Sequence, residues 1–310
     1  MISYIFRPPL LLFILVTVLQ QVIRVDVALV TVGVRVTDSR GRDVSGLKAT
    51  AFTVFEDGKP REIAFFANET QPITLGILAD RSSSMEYGKK LDRAKDAARS
   101  LVAGAYAGSE FFYIEFDEVV DVASDFTSDR AQLASVIQRT VIGGGTSLYD
   151  AVLKGLTITD RAKLRRRALV VISDGADQHS RHPLGEVIRL IRESEIQVYT
   201  IGYFSRQEEA LFSASRSKVM RIDGKQLDNP RIALQKLAEE SGAESYFPHS
   251  DEELAKGVAE ISEDLRTQYT IAFYPRVQNP ENRYHELRVT VRGNGYKVRA
   301  RPGYGTRAVE

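Results

Sequence analysis

Asp80, Ser82 and Ser84 alternate in the stretch Asp80-Arg-Ser-Ser-Ser84, directly after the apolar run Ile73-Thr-Leu-Gly-Ile-Leu-Ala79. One carboxylate and two hydroxyls gathered where an apolar strand ends are the hard oxygen donors that a divalent cation such as Mg2+ requires. Two later stretches repeat the arrangement. Gly143-Gly-Gly145 delivers the hydroxyl of Thr146 ahead of a helix-like run, and the strand-like Ala168-Leu-Val-Val-Ile-Ser173 ends at Asp174. Taken alone, Asp80, Ser82 and Ser84 read equally well as a helix N-cap cluster, because Ser and Asp satisfy the free amides of a helix start. The ordered set of five favours a metal site.

That set resembles the metal-ion-dependent adhesion site of von Willebrand factor type A (VWFA) domains, over residues 71–267. The resemblance implies that Ser82, Ser84 and Thr146 bind the cation directly and that Asp80 and Asp174 act mostly through water. It also implies Mg2+, with Mn2+ or Ca2+ as alternatives, and an open position that an acidic group of a protein partner fills. Two departures stand beside the motif: Ser83 occupies a position where Gly is usual, and Arg81 adds a positive charge.

The surrounding elements must hold these loops. Leu91, Ala94, Ala98, Leu101 and Val102 recur at helical spacing, which predicts an amphipathic helix against a sheet. Strands are expected at Glu110–Phe116 and Val119–Ala123, then a helix from Ser128-Asp129 through Ile137, another opening after Thr146, the strand ending at Ser173, a helix through Leu184–Ile191 and a strand over Ile196–Gly202. Helices follow at Arg231–Ser241 and Asp251–Arg266. Strands alternating with helices imply a doubly wound, mostly parallel α/β sheet, Rossmann-like in its layering. Phe204–Pro230 is polar and without period, which predicts an insertion or mobile surface segment.

Both flanks read as β. The alternation Val30, Val32, Val34, Val36 predicts a half-buried strand, and Ala51–Phe55 with Glu62–Phe66 predicts a hairpin around Gly58. Tyr269–Tyr274, Glu286–Arg292 and Tyr296–Arg301 are strand-like, with Gly293-Asn-Gly295 as a hairpin signal. So few strands at each end cannot bury two faces alone. The expectation is one small β-sandwich-like module built from 23–70 and 268–310, into which the α/β domain of 71–267 is inserted. The segment Phe52–Lys59 and the terminal Arg301-Pro-Gly-Tyr304 strengthen the resemblance to bacterial VWFA-related proteins abundant in Acidobacteria.

Lys and Arg number 42 against 41 Asp and Glu, a balance that gives no support to a nucleic-acid partner. The absence of cysteine excludes disulfides, thiolate zinc sites and cysteine nucleophiles. Arg7 followed by the apolar run Leu10–Leu19 has the length of a signal-peptide core and is short for a membrane span. Residues 1–22 are therefore expected to be a signal peptide or an N-terminal membrane anchor, and the protein extracytoplasmic: periplasmic, secreted or membrane-anchored.

Other residues invite chemistry and have plainer readings. His179 and His182 lack a third zinc ligand and read as surface loop; Asp150 and Asp177 read as helix caps or solvated groups. Lys163 with Arg165, Arg166 and Arg167 reads as a solvated helix end. The functional expectation is an exported adhesion module that captures an acidic group of a protein through its cation, without turnover. The alternatives are a metal-dependent phosphohydrolase, opposed by Ser82 standing where such enzymes place a second acid after an aspartyl nucleophile, and a structural cell-envelope protein.

Overall fold

The computed structural model describes residues 29–68, 71–215, 217–222, 224–276 and 284–306; the expected leader, residues 1–22, lies outside them. The chain begins with β1 (Val30–Thr37), β2 (Phe52–Glu56), β3 (Lys59–Arg61) and β4 (Ile63–Ala67), and then enters the central domain. There β5 (Thr74–Asp80) is followed by α1 (Lys90–Gly104), β6 (Glu110–Phe116), β7 (Val120–Thr127), α2 (Arg130–Gln138), α3 (Leu148–Thr159), β8 (Arg167–Ser173), α4 (Leu184–Glu193) and β9 (Gln197–Gly202). The second half holds α5 (Arg206–Ala214), β10 (Val219–Ile222), β11 (Lys225–Asp228), α6 (Pro230–Ser241), β12 (Ser245–Tyr246) and α7 (Asp251–Thr267). The chain closes with β13 (Tyr269–Phe273), β14 (Tyr284–Val291), β15 (Lys297–Arg299) and β16 (Gly303–Gly305).

The central sheet has the order β12-β9-β8-β5-β6-β7, parallel throughout except for the antiparallel edge strand β7. Every residue of β5 is buried, as expected of a strand covered by helices on both faces. One face packs on α1, α2 and α7 through Leu91, Leu101, Leu133, Ile137, Val258 and Ile261. The other packs on α3, α4 and α6 through Leu148, Val152, Val187, Ile191, Leu234 and Leu237. This is the doubly wound α/β fold that the sequence implies.

The two ends of the chain build two four-stranded antiparallel sheets, ordered β15-β1-β13-β4 and β16-β14-β2-β3. Their inner faces close on one core of Val30, Val32, Val34, Phe52, Val54, Ile271, Phe273 and Leu287. Phe52, Phe66 and Tyr269 form an aromatic cluster within it, with centroids 4.9 to 5.8 Å apart.

Three local expectations need correction. The hairpin around Gly58 pairs β2 with Lys59–Arg61 rather than with Glu62–Phe66; Ile63–Ala67 crosses to the other sheet and pairs with β13. After Gly293-Asn-Gly295 the chain likewise changes sheets, because β15 pairs with β1 and not with β14. Period-two alternation tells which face a residue takes but not which strand it meets. Phe204–Pro230 is also more regular than expected. It folds into α5, opened by a capping box between Ser205 and Glu208, and the β10–β11 hairpin. Phe212 anchors that segment on the core, edge-on to Phe204 at 5.1 Å.

The sandwich is riveted to the central domain. Arg301 donates to the carbonyls of Arg192 and Ser194. Arg299 bonds the Gly242 carbonyl and the carboxylate of Asp264, a fully buried acid on α7. Asp264 also accepts from Tyr199 (2.7 Å) and Gln268 (2.8 Å). Gly242 caps α6 at φ +80°, and a side chain there would strike the backbone of Arg301.

Candidate metal site at the switch point

The chain leaves β5 for β6 and β7 on one side and later fills β8, β9 and β12 on the other. The strand order therefore reverses between β5 and β8, where open α/β sheets bind ligands beyond the carboxyl ends of their strands. Asp80 is the last residue of β5, and Asp174 follows the last residue of β8.

Backbone amides and hydroxyls fix this corner. Asp80 Oδ1 accepts the Ser82 amide at 2.8 Å, and Asp80 Oδ2 accepts the Ser173 hydroxyl at 2.5 Å. The hydroxyls of Ser82 and Ser84 lie 3.1 Å apart. The glycine loop is tied on by backbone: the Gly143 amide donates to Arg81 O at 2.7 Å, and the Ser83 amide to Gly144 O at 2.8 Å. Thr146 follows, buried, with its carbonyl accepting from the amides of Gln178 and His179. The structure thus draws all five expected residues to the ends of two neighbouring strands and the loop bonded to them.

The two carboxylates differ. Both oxygens of Asp80 are engaged by the protein, whereas Asp174 Oδ1 is buried without a hydrogen-bond partner among the described residues. Asp174 Oδ2 meets the ammonium of Lys90 at 3.3 Å, and the same ammonium lies 3.5 Å from Glu208. Burial, and then the nearby charge of Asp174, push the Asp80 carboxyl up to about 7. Two adjacent buried carboxylates with one orphaned oxygen call for positive charge, and hydroxyls supply neutral oxygens around it. Among the described residues no cluster of three or more His, Asp or Glu suits a metal; a donor set with two carboxylates and three hydroxyls is of a different kind.

Lys90 was not legible in the sequence, since nothing in Tyr87-Gly-Lys-Lys90 marks one lysine as buried. The side chain of Arg81, beside the motif in sequence, is directed to neighbouring acids. Its guanidinium turns to Asp117 (3.0 Å) and Asp121 (3.1 Å), so its charge is met by acids.

Asp150 and Asp177 are loop anchors. Asp177 accepts from Ser180 Oγ at 2.6 Å and from the Tyr149 amide, and burial pushes its carboxyl up. Asp150 accepts from the amides of Arg181 and His182 and pairs with His182 Nδ1 at 2.7 Å. His179 bonds the Thr146 amide through Nδ1 at 3.3 Å. The histidines therefore help to shape the loop between β8 and α4.

A doubly wound sheet with hydroxyls and carboxylates at its switch point defines the class. Residues 75–176 match the family model described as von Willebrand factor type A domain, and the chain carries a domain of that family. Similar solved structures include proximal thread matrix protein 1 from the mussel byssus, at 13% identity and TM-score 0.52, covering 68% of this chain and 51% of that one. A form of that protein described with a zinc-occupied MIDAS motif matches at 13% identity and TM-score 0.50, covering 67% and 48%. The conserved hypothetical protein BatB from Bacteroides thetaiotaomicron matches at 17% identity and TM-score 0.48, covering 62% and 98%. At these identities the likeness concerns the fold. The chain spans about half of the mussel protein. No curated protein matches.

Proposed function

We propose that Asp80, Ser82, Ser84, Thr146 and Asp174 hold one divalent cation, Mg2+ or else Mn2+ or Ca2+, and that an open position on it captures an Asp or Glu side chain of a protein partner. The observation that carries this reading is the buried, unpartnered Oδ1 of Asp174 beside Asp80. An oxygen so placed loses solvation without a compensating bond, and a cation restores it. Few direct carboxylates leave net positive charge on the ion for an incoming anion to neutralise. The mussel protein's zinc-occupied MIDAS motif lends support from a similar fold.

The domain carrying the site is taken as 71–267, set in a sandwich of 23–70 and 268–310. The reading takes the apolar leader, residues 1–22, as a cleaved signal or an anchor and hence the protein as extracytoplasmic; among the described residues no helix is long and apolar enough to cross a membrane. The reading includes no turnover.

Calorimetric titration with Mg2+ and Mn2+ tests the site. Asp174→Ala and Asp80→Ala are each expected to abolish tight binding, and unchanged affinity in both removes the assignment. Pull-down from an extracytoplasmic extract with and without chelator tests the partner, which is expected only in the metal-bound arm. Phosphoester hydrolysis that disappears in Ser82→Ala would overturn the binding reading in favour of an enzyme.

A further inference from the structure

At the opposite, amino end of the central sheet a cleft of about 410 Å³ separates that sheet from the sandwich. It is of the size that takes a small molecule. One wall is the outer face of the sheet β15-β1-β13-β4. Val30, Val32 and Val34 point into the sandwich core, so Leu29, Thr31 and Gly33 turn outward, joined by Phe65 and Ala67 of β4. Leu29 and Phe65 are 39% and 47% exposed, an apolar surface that no described residue covers.

The facing wall is cationic. Arg165, Arg166 and Arg167 all line the cleft. The sequence suggested that they cap a solvated helix end, but α3 stops at Thr159 and the three run into β8, with Arg166 and Arg167 half-buried. Arg166 donates one nitrogen to Leu265 O at 2.8 Å and Arg167 bonds Thr159 O at 3.3 Å. Arg166 Nη1 is buried without a hydrogen-bond partner among the described residues. No carboxylate among the described residues forms an ion pair with any of the three. Glu195, the one acid in the lining among the described residues, accepts the Thr31 amide at 2.9 Å. Asp264 acts on Arg166 only from beyond ion-pair distance, while burial lowers the guanidinium's pKa, and half-buried guanidiniums without a contacting carboxylate are costly unless an anion reaches them.

Gly33 widens the cleft. A side chain there would meet Gln268 Oε1 at 2.8 Å and Gln197 Nε2 at 3.4 Å, and glycine inside a strand often marks a close approach of this sort.

We propose that this cleft binds a small organic anion, a carboxylate joined to an apolar body, with the carboxylate on Arg165 and Arg166 and the body against Phe65 and Ala67. The arginines supply the planar donor fork suited to a carboxylate, and the sandwich face supplies the apolar contact. The site is independent of the cation site at the other end of the sheet.

Titration of the full chain with 4-phenylbutyrate, 4-phenylbutanol and inorganic phosphate tests this. Phenylbutyrate is expected to bind at least tenfold more tightly than either of the others. Arg165→Gln, at an exposed position, and Arg166→Gln are each expected to weaken it tenfold, and Ala67→Phe to abolish it by filling the cleft, while Asp174→Ala leaves it intact. Thermal unfolding of each variant confirms that it is folded. No binding of phenylbutyrate, equal binding of phosphate, or undiminished binding in Arg165→Gln and Ala67→Phe would each overturn the proposal.

Discussion

Lys90 Nζ stands 3.3 Å from Asp174 Oδ2, with both side chains almost fully buried. The ammonium partly neutralises the Asp80–Asp174 pair from the protein's own chain and opposes an incoming metal cation. Lys90→Gln is therefore expected to tighten Mg2+ binding and to destabilise the metal-free protein by about 1–3 kcal/mol, the scale of a lost bond to a buried charge. Calorimetry and denaturant unfolding with and without chelator check the two halves. A variant that binds metal more weakly would instead make Lys90 a support of the site.

Proton and metal compete for Asp80. Its folded value near 7 lies above the ordinary 3.8, so in the metal-free fold its contribution to stability is fully present below about pH 3.8 and is lost as pH rises through 7. Asp177 is raised in the same direction, whereas Asp38, Asp57 and Asp150 are lowered, so their contributions are present above the ordinary carboxylate range and are lost only as pH falls below it. With metal the sign reverses, because binding releases the proton. Mg2+ affinity is expected to fall about 50-fold from pH 7 to pH 5, since one proton with a value near 7 already half-occupies Asp80 at pH 7. A flat affinity profile across that range would separate Asp80 from the metal.

Asp264 is buried, met by Tyr199 within the central domain and by Gln268 and Arg299 from the segment that enters the sandwich. Arg299→Met leaves that carboxylate without its main counter-charge and is expected to cost about 3–5 kcal/mol. Adding Asp264→Asn should recover part of the loss, since the uncompensated charge goes with it. Urea unfolding of the single and double variants measures the coupling; strict additivity would mean the pair does not act as a unit.

Deletion of 268–310 removes β13 and β14, the strands between β1 and β4 and between β16 and β2. Val30, Val32 and Val34 then lose their covering, and aggregation is expected. Hydrogen exchange over Val30–Val36 decides the matter: undiminished protection would show that the N-terminal strands stand alone. Residues 71–267 expressed alone are expected to bind metal, more stably with Asp264→Asn because Arg299 and Gln268 are gone.

The central sheet and the metal loops were legible because their signals are local. Buried strands ending in Asp80 and Asp174 show as apolar runs, and α7 shows its stripe of Leu254, Val258, Ile261 and Leu265. Asp129 at the start of α2 and Gly242 at the end of α6 act as the caps their types suggest. What stayed hidden depends on partners distant in sequence. Lys90 meets Asp174 and Glu208, and Asp264 meets Arg299, through contacts that no periodicity encodes. The crossing of Ile63–Ala67 and Lys297–Arg299 between sheets was hidden for the same reason. Phe204–Pro230 misled because its anchors, Phe212, Met220 and Ile222, are sparse among polar residues, although Ser205-x-x-Glu208 was a readable helix start.

In both sheets of the sandwich an inner strand comes from the late part of the chain: Val30 pairs with Phe273, and Phe52 with Val291. Synthesis proceeds from the N-terminus, so β1 to β4 emerge early: β2 and β3 can already pair as a hairpin, whereas β1 and β4 have nothing to pair against. The α/β domain, whose sheet is closed by segments already made, can fold while they wait. Such distant pairings also make the closing step slow. Nascent chains thus pass through a stage with a finished metal domain and two half-sheets whose valines and open strand edges are accessible to chaperones, proteases and other nascent copies.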